Sequence, residues 1–278
     1  MLPHVIGCVS FLNTRPMIHG LEGRDDITLR PDVPSRLLDD LEAGRVELAL
    51  CPVIDYQRSK TPLQIVPVGC IGSPGRTLTV RLFSRVPFDQ VSVVHADTDS
   101  HTSVALMRVI LRGVYQRDVT VQPWPAVAAC GFVGSQDVRT LLLIGDKVIT
   151  RPPPADQYPF ELDLGEAWNK WTGLPFVFAI WMARQNADLG DVPAILNARR
   201  QANESHLDTI VARYAVPLGW PSELAREYLG RMLRYEVGPP QLQAVQLFWR
   251  KAAELKLIDA VRPLVLHPAT ETFLISDA

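Results

Sequence analysis

What this chain lacks narrows its chemistry first. Its four cysteines, Cys8, Cys51, Cys70 and Cys130, stand far apart with no C-x-x-C pair, and no histidine lies at zinc-finger spacing from them. A zinc finger and a dithiol redox centre are thereby excluded, and buried free thiols are expected. The six histidines form no H-E-x-x-H or related cluster, so no metal is assigned. No G-x-G-x-x-G, phosphate loop or G-x-S-x-G elbow occurs either, and no cofactor is expected.

Net charge and long apolar runs are equally scarce. At −2 the chain has no basic footprint for nucleic acid and no polybasic patch for an anionic membrane. A small-molecule partner is the default. The longest apolar run, "LPFVFAIWMA" at 174–183, is shorter than the roughly 20 residues a membrane helix needs and reads as a core strand. The start "MLPHVIGCVS" has no charged segment followed by an apolar core and a small-residue cleavage site, so a cytoplasmic protein is expected.

What is present is an α/β pattern on 278 residues, 47% hydrophobic and 21% charged, enough for one large or two modest domains. "HVIGCVS", "DITLRP" and "RVELALCPV" read as strands separated by a short helix at "RPMIHGLEG" and a longer one at "PSRLLDDLEAG". In the longer helix Ser35 is a candidate cap and Gly44 a left-handed C-terminal residue. This β-α-β-α-β order implies parallel pairing. Further strands follow at "LQIVPVGCIGS", "RTLTVRLFSRV", "SVVHAD", "DVTVQPW" and "TLLLIGDKVI". "SHTSVALMRVILRGVYQR" carries Val104, Met107, Leu111 and Val114 at helical spacing, which predicts a core-facing stripe. After "LPFVFAIWMAR" the pattern is helical, with stripes at Leu207, Ile210, Val211 and Tyr214 and at Leu242, Val245, Trp249 and Ala252. Two α/β lobes are expected.

Two strand-to-helix turns are rich in hydroxyls and amides. In open α/β sheets ligands bind beyond the carboxyl ends of strands, where helix N-termini present backbone N–H groups. In "GCVSFLNTRP", Ser10 to Thr14 lie between a strand and a helix begun near Pro16, and Asn13 or Thr14 can cap that helix or face a ligand. In "DTDSHTS", Ser100, Thr102 and Ser103 stand at a helix start suited to a carboxylate, with His101 beside them. Capping is the commoner role of such residues. Asp97, Asp99, Asp146 and Asp163 are possible acid/base groups, each near a turn or helix start where aspartate is common for local reasons. Of the aromatics in "DLGEAWNKWTGLPFVF", most read as core and one as a pocket wall.

The stretch "GCVSFLNTRPMIHGL" resembles the N-terminal signature of the chorismate dehydratases of the futalosine route to menaquinone. "DTDSHTSVALMRVIL", "LLLIGDKVI" and "DLGEAWNKWTGLPFVFAIW" agree with that family in order and spacing, so the resemblance covers nearly the whole chain. His101 stands where the family commonly has arginine, so a permanent charge is not implied there.

The resemblance implies a type II periplasmic-binding-protein fold with a ligand cleft between two lobes. Lobe one would be 1–84 with 178–278, and lobe two 85–177, with crossovers near 80–86 and 174–182. It also implies dehydration of chorismate to 3-[(1-carboxyvinyl)oxy]benzoate, with the substrate's own enolpyruvyl carboxylate as base. Asn13 would orient the reacting groups, Ser10 and Thr14 support its turn, Ser100 and Thr102 hold a carboxylate, and Thr79 reach the substrate from a crossover. Two alternatives stand beside it. A related naphthoate-forming cyclase shares the fold but has a Ser-Pro-Cys-Pro-Asn-Asp type of motif where this chain has "SFLNTRP". A non-catalytic binding protein for a small carboxylate is the other.

Overall fold

The computed structural model describes residues 3–124 and 138–268, and within them the apolar runs form two five-stranded sheets. The first contains β1 (His4–Val9), β2 (Ile27–Asp32), β3 (Leu48–Pro52), β4 (Leu63–Ser73) and the late strand β10 (Phe176–Arg184), in the order β2-β1-β3-β10-β4. The second contains β5 (Val80–Ser84), β6 (Val93–Asp97), β7 (Thr120–Trp124), β8 (Thr140–Ile144) and β9 (Phe160–Asp163), in the order β7-β6-β8-β5-β9. β1 pairs parallel with β2 and β3, as the alternating pattern predicts, while β10 is antiparallel to both β3 and β4. β3 and β4 are buried along their whole length, which is why they read as continuous apolar runs and not as alternation.

Among the described residues, ten α-helices surround the sheets: α1 (Arg15–Ile18), α2 (Pro34–Glu42), α3 (Asp55–Arg58), α4 (His101–Tyr115), α5 (Lys147–Thr150), α6 (Leu164–Thr172), α7 (Val192–Asn203), α8 (Leu207–Ile210), α9 (Ser222–Glu227) and α10 (Pro239–Glu254). Met107 and Leu111 of α4 are fully buried, but Val114 is exposed, because the inward face of that helix runs through Ala105, Leu106, Val109 and Ile110 as well. Ser35 does not cap α2: the helix starts at Pro34 after Val33, and the Ser35 N–H donates to Asp99 O across the sheets at 3.0 Å. Gly44 has the expected left-handed φ of 70°. Cys8, Cys51 and Cys70 are buried free thiols; Cys130 lies outside the described residues.

The chain crosses between the sheets after Ser73 and returns before Phe176. β5 is laddered to β8 and β9, so residues 80–84, expected in lobe one, belong to the second sheet. Asp163 anchors the outgoing crossing. Its carboxylate accepts from Thr77 N at 2.9 Å, Leu78 N at 2.7 Å and, as the cap of α6, Glu166 N at 3.1 Å. The aspartate that reads locally as a helix start therefore also fixes a segment 86 positions away. Gly165 is required there, since a Cβ would lie 2.6 Å from the Gly75 carbonyl oxygen.

The segment from α8 to Leu233 forms a helical cap with its own small core. Ile210, Val211, Trp220, Tyr228 and Leu229 enclose Leu12 from the turn after β1 and Leu78 from the crossing. Ile149 of α5, beside the second sheet, packs on the same cluster. The cap thus touches both halves of the molecule.

Candidate active site

The two polar turns meet across a cleft between the sheets. Its walls include Phe11 and Asn13 after β1, Thr79 on the crossing, Ser100 at the start of α4, Gly145 after β8 and Phe178 of β10. The space between these walls, with open solvent at its mouth included, measures about 430 Å³. Among the described residues that line it, none carries an ionisable side chain. Its polar side chains are the Asn13 amide and the hydroxyls of Thr77, Thr79, Ser100 and Ser103.

The first turn does not cap its helix. Thr14 occupies the position before α1 in helical conformation, and its side chain makes no cap bond. The fully buried Thr14 hydroxyl lies 3.4 Å from Asn13 Oδ1 as its donor. Ser10 is exposed, and its backbone N–H donates to Asp32 O at 3.0 Å. Capping, the commoner role, is thus not what these residues do. Asp146 holds the turn instead: its carboxylate accepts from Leu12 N at 3.2 Å and from Trp220 Nε1 at 3.0 Å. Burial raises the Asp146 carboxyl above the ordinary range, against the pull of these two donors. Gly145, with φ 81°, lets the Phe11 ring approach; a Cβ there would meet it at 3.1 Å.

The second turn does cap its helix. Ser100 Oγ accepts from Ser103 N at 3.4 Å and from the Ser103 hydroxyl at 3.1 Å, which leaves the Ser100 hydroxyl hydrogen for the cleft. Thr102 is fully buried, and its Oγ1 accepts from Ile54 N at 3.1 Å. His101 Nδ1 pairs with both oxygens of Asp55, at 2.9 and 3.0 Å. Neither Thr102 nor His101 lines the cleft. Beneath the turn, Lys147 Nζ bridges Asp97 at 2.6 Å and Asp99 at 2.7 Å. Asp97 also accepts from Ile144 N. Burial pushes the Asp97 carboxyl up to about 6, with Lys147 pulling the other way and Asp99 adding to the rise. Asp97 and Asp99 are thus tied to Lys147, and Asp146 and Asp163 hold backbone N–H groups.

Among the predicted residues, Asn13, Thr79 and Ser100 come together at the cleft wall, and Ser10, Thr14, His101 and Thr102 stand outside it. Two residues without any local sequence signal join the site from a distance: Tyr228, whose hydroxyl is 2.7 Å from Thr79 Oγ1, and Trp220, which donates to Asp146. Phe178 is the aromatic wall, while Trp168 and Phe176 are core and Trp171 packs at the surface under Lys251. Among the described residues, no three His, Cys, Asp or Glu side chains gather as a metal site.

Two sheets joined by paired crossings, with a cleft between them, define a two-lobed α/β architecture of the periplasmic-binding-protein type, and solved structures bear this out. An Archaeoglobus fulgidus protein, AF1704, superposes with a TM-score of 0.72 at 14% identity, covering 91% of this chain and 98% of that one. The periplasmic aliphatic sulphonate binding protein SsuA of Escherichia coli does so with a TM-score of 0.64 at 13% identity, covering 94% of each. These likenesses establish the fold alone. Residues 4–254 match the menaquinone biosynthesis family, and the chain belongs to it. A chorismate dehydratase of Thermus thermophilus is 27% identical over 263 residues, covering 89% of this chain and 94% of that protein. No helix among the described residues is long and apolar enough to cross a membrane.

Proposed function

We propose that this protein is a hydro-lyase that dehydrates chorismate to 3-[(1-carboxyvinyl)oxy]benzoate in menaquinone biosynthesis. The observation that carries the reading, beside family membership, is a cleft wall without an ionisable side chain among its described residues. A dehydration needs a base for the proton, and such a wall supplies none. The substrate brings its own. Its enolpyruvyl carboxylate takes the proton from the ring carbon bearing the ether, the C–H electrons form the new ring double bond, and the neighbouring C–O bond breaks. The departing hydroxide takes up a proton as water, and the ring becomes aromatic.

In this scheme the protein holds one conformer and stabilises the leaving oxygen. Well-oriented intramolecular groups lower barriers by roughly 7–11 kcal/mol, which is large enough to make positioning the principal contribution. Asn13 is assigned to orient the reacting groups and donate to the departing hydroxyl. Ser100 and the first backbone N–H groups of α4 take a carboxylate, with Thr79 on the crossing wall. Thr14 supports the Asn13 amide and Ser10 the outer turn. We also take the two sheets as the cores of two lobes, the second inserted in the first, hinged at 73–80 and 172–176. Three buried free thiols suit a reducing cytoplasm.

The test is incubation of the purified protein with chorismate, following the aromatic product by chromatography and mass, with Asn13→Ala alongside. Product from the wild type and its loss in the variant support the reaction and the site. Binding of chorismate without product overturns the dehydratase reading in favour of a binding protein.

A further inference from the structure

The crossing that brings Thr79 to the cleft wall is bent more sharply than its residues favour. Leu78 has φ 67°, and the Thr79 N–H donates to Thr77 O at 2.7 Å. A bond to the carbonyl two positions back, closed over a residue of positive φ, is the rare and strained form of γ-turn. Glycine adopts such a φ freely, whereas a leucine there sets its Cβ against the following carbonyl oxygen. A side chain is kept in this region only where its surroundings over-determine it, and such positions gather at functional sites.

The surroundings of this turn do so from three sides. The Leu78 side chain is buried in the core of the helical cap with Leu12 and Trp220. Thr79 is tied at its carbonyl, which accepts from Gly145 N at 2.9 Å, and at its hydroxyl, 2.7 Å from that of Tyr228. The third grip is Asp163, 7% exposed, whose Oδ1 accepts from Thr77 N at 2.9 Å and whose Oδ2 accepts from Leu78 N at 2.7 Å. Capping α6 requires one oxygen, the Oδ1 that meets Glu166 N, and a serine would meet that need as well. The second oxygen of Asp163 goes to the strained residue. Thr77 and Thr79, at the two ends of the turn, both line the cleft, while Leu78 and Asp163 stand behind it.

We propose that Asp163 is a positioning residue for the dehydration: its carboxylate holds residues 77–79 in the strained γ-turn and so fixes the Thr79 hydroxyl on the cleft wall. The assignment rests on the dehydratase reading above. It gives a helix cap that touches no substrate a part in the chemistry, through the backbone of the crossing.

Asp163→Asn is the direct test. An asparagine oxygen can keep the Thr77 and Glu166 N–H groups, while its NH₂ then faces the Leu78 N–H and offers it no acceptor. Hydrogen exchange without substrate reads the grip: the Leu78 and Thr79 amides should exchange at least about tenfold faster than in the wild type, and that of Leu82, inside β5, should not change. For chorismate, kcat should fall about 10–100-fold with KM within about threefold, the size expected of a misplaced reacting group. Thr79→Val should lower kcat as well, and Asp163→Asn/Thr79→Val should lie within about threefold of Thr79→Val alone, because both substitutions act through one hydroxyl. A cap without this task would leave the two losses to multiply. Asp163→Ser keeps an acceptor for Glu166 N but has no second oxygen for the crossing, so it should show the same faster exchange and the same loss of kcat with the start of α6 intact. Unchanged exchange at Leu78 in either variant overturns the grip. A kcat within about twofold of the wild type in either, or a double variant that loses the product of the two effects, overturns the positioning role. No product from the wild type overturns the dehydratase reading, and the catalytic half of this assignment with it, while the exchange result still decides whether Asp163 holds the turn.

Discussion

The turn after β1 and the turn after β6 look alike in composition, and the fold uses them in opposite ways. Both follow a buried strand, both precede a helix, and both are rich in hydroxyl and amide side chains. In the second, local needs absorb most of the polar groups: Ser100 caps α4, Thr102 satisfies Ile54 N and His101 covers the buried Asp55. In the first, no side chain caps the short α1, and the Leu12 N–H is satisfied by Asp146 from the other sheet. That long-range acceptor releases Asn13 from local duty. A polar turn is free to act on a ligand when something else meets its backbone needs.

The largest expected contrast between the turns is catalytic. Asn13→Ala should lower kcat at least about 100-fold, the scale of losing one donor to developing negative charge, with little change in stability because Asn13 caps nothing. Chorismate turnover beside a thermal melt checks both halves. Next in size is the anchor of the first turn. Asp146→Ala strips acceptors from Leu12 N and Trp220 Nε1 together and should cost about 2–4 kcal/mol in urea unfolding, less the relief of removing a buried carboxylate; a cost below 1 kcal/mol would deny it the anchoring role. Thr102→Val should cost about 1–3 kcal/mol by orphaning Ile54 N, yet leave kcat within threefold. Should kcat collapse at unchanged stability, the Thr102 hydroxyl would instead belong with the substrate-binding groups.

Ser100→Ala divides its effect between the two uses. Loss of the cap should cost about 1 kcal/mol, and KM for chorismate should rise several-fold if the freed hydroxyl hydrogen meets a carboxylate. The smallest effect is one of pH. The folded chain holds the Asp97 carboxyl near 6, above the ordinary 3.8, so between those values it binds a proton that the unfolded chain has released. The contribution of this group is therefore full below about 3.8 and is lost as pH rises through about 6. Against the wild type, Asp97→Asn should gain stability as pH rises through that window. Melting temperatures of the two proteins from pH 4 to 7 would settle it; a difference that falls with rising pH would mean that Lys147 holds the carboxylate ionised throughout.

Legibility followed the range of the interactions. Strands, helices and both polar turns could be read locally because burial on one face imprints a period of two or 3.6 on the chain. Even there, Ser35 and Val114 were misread, the first because Pro34 starts α2 one residue earlier, the second because α4 is enclosed over a wider arc than one stripe. The crossover boundary slipped for a related reason: "RTLTVRLFSRV" states that a strand exists, not which sheet it joins.

Residue order alone determined the α/β alternation, the parallel start of the first sheet and the placing of polar side chains at two strand ends, since each depends on neighbours within a helical turn or a strand. Whether a given hydroxyl would cap, brace or face the cleft was decided only in three dimensions. Thr79 meets Tyr228 across 149 positions and Trp220 meets Asp146 across 74. Such pairs leave no period in the sequence. They form because the helical cap packs on Leu12 and Leu78, and that packing brings the Tyr228 phenol to the Thr79 hydroxyl on the cleft wall.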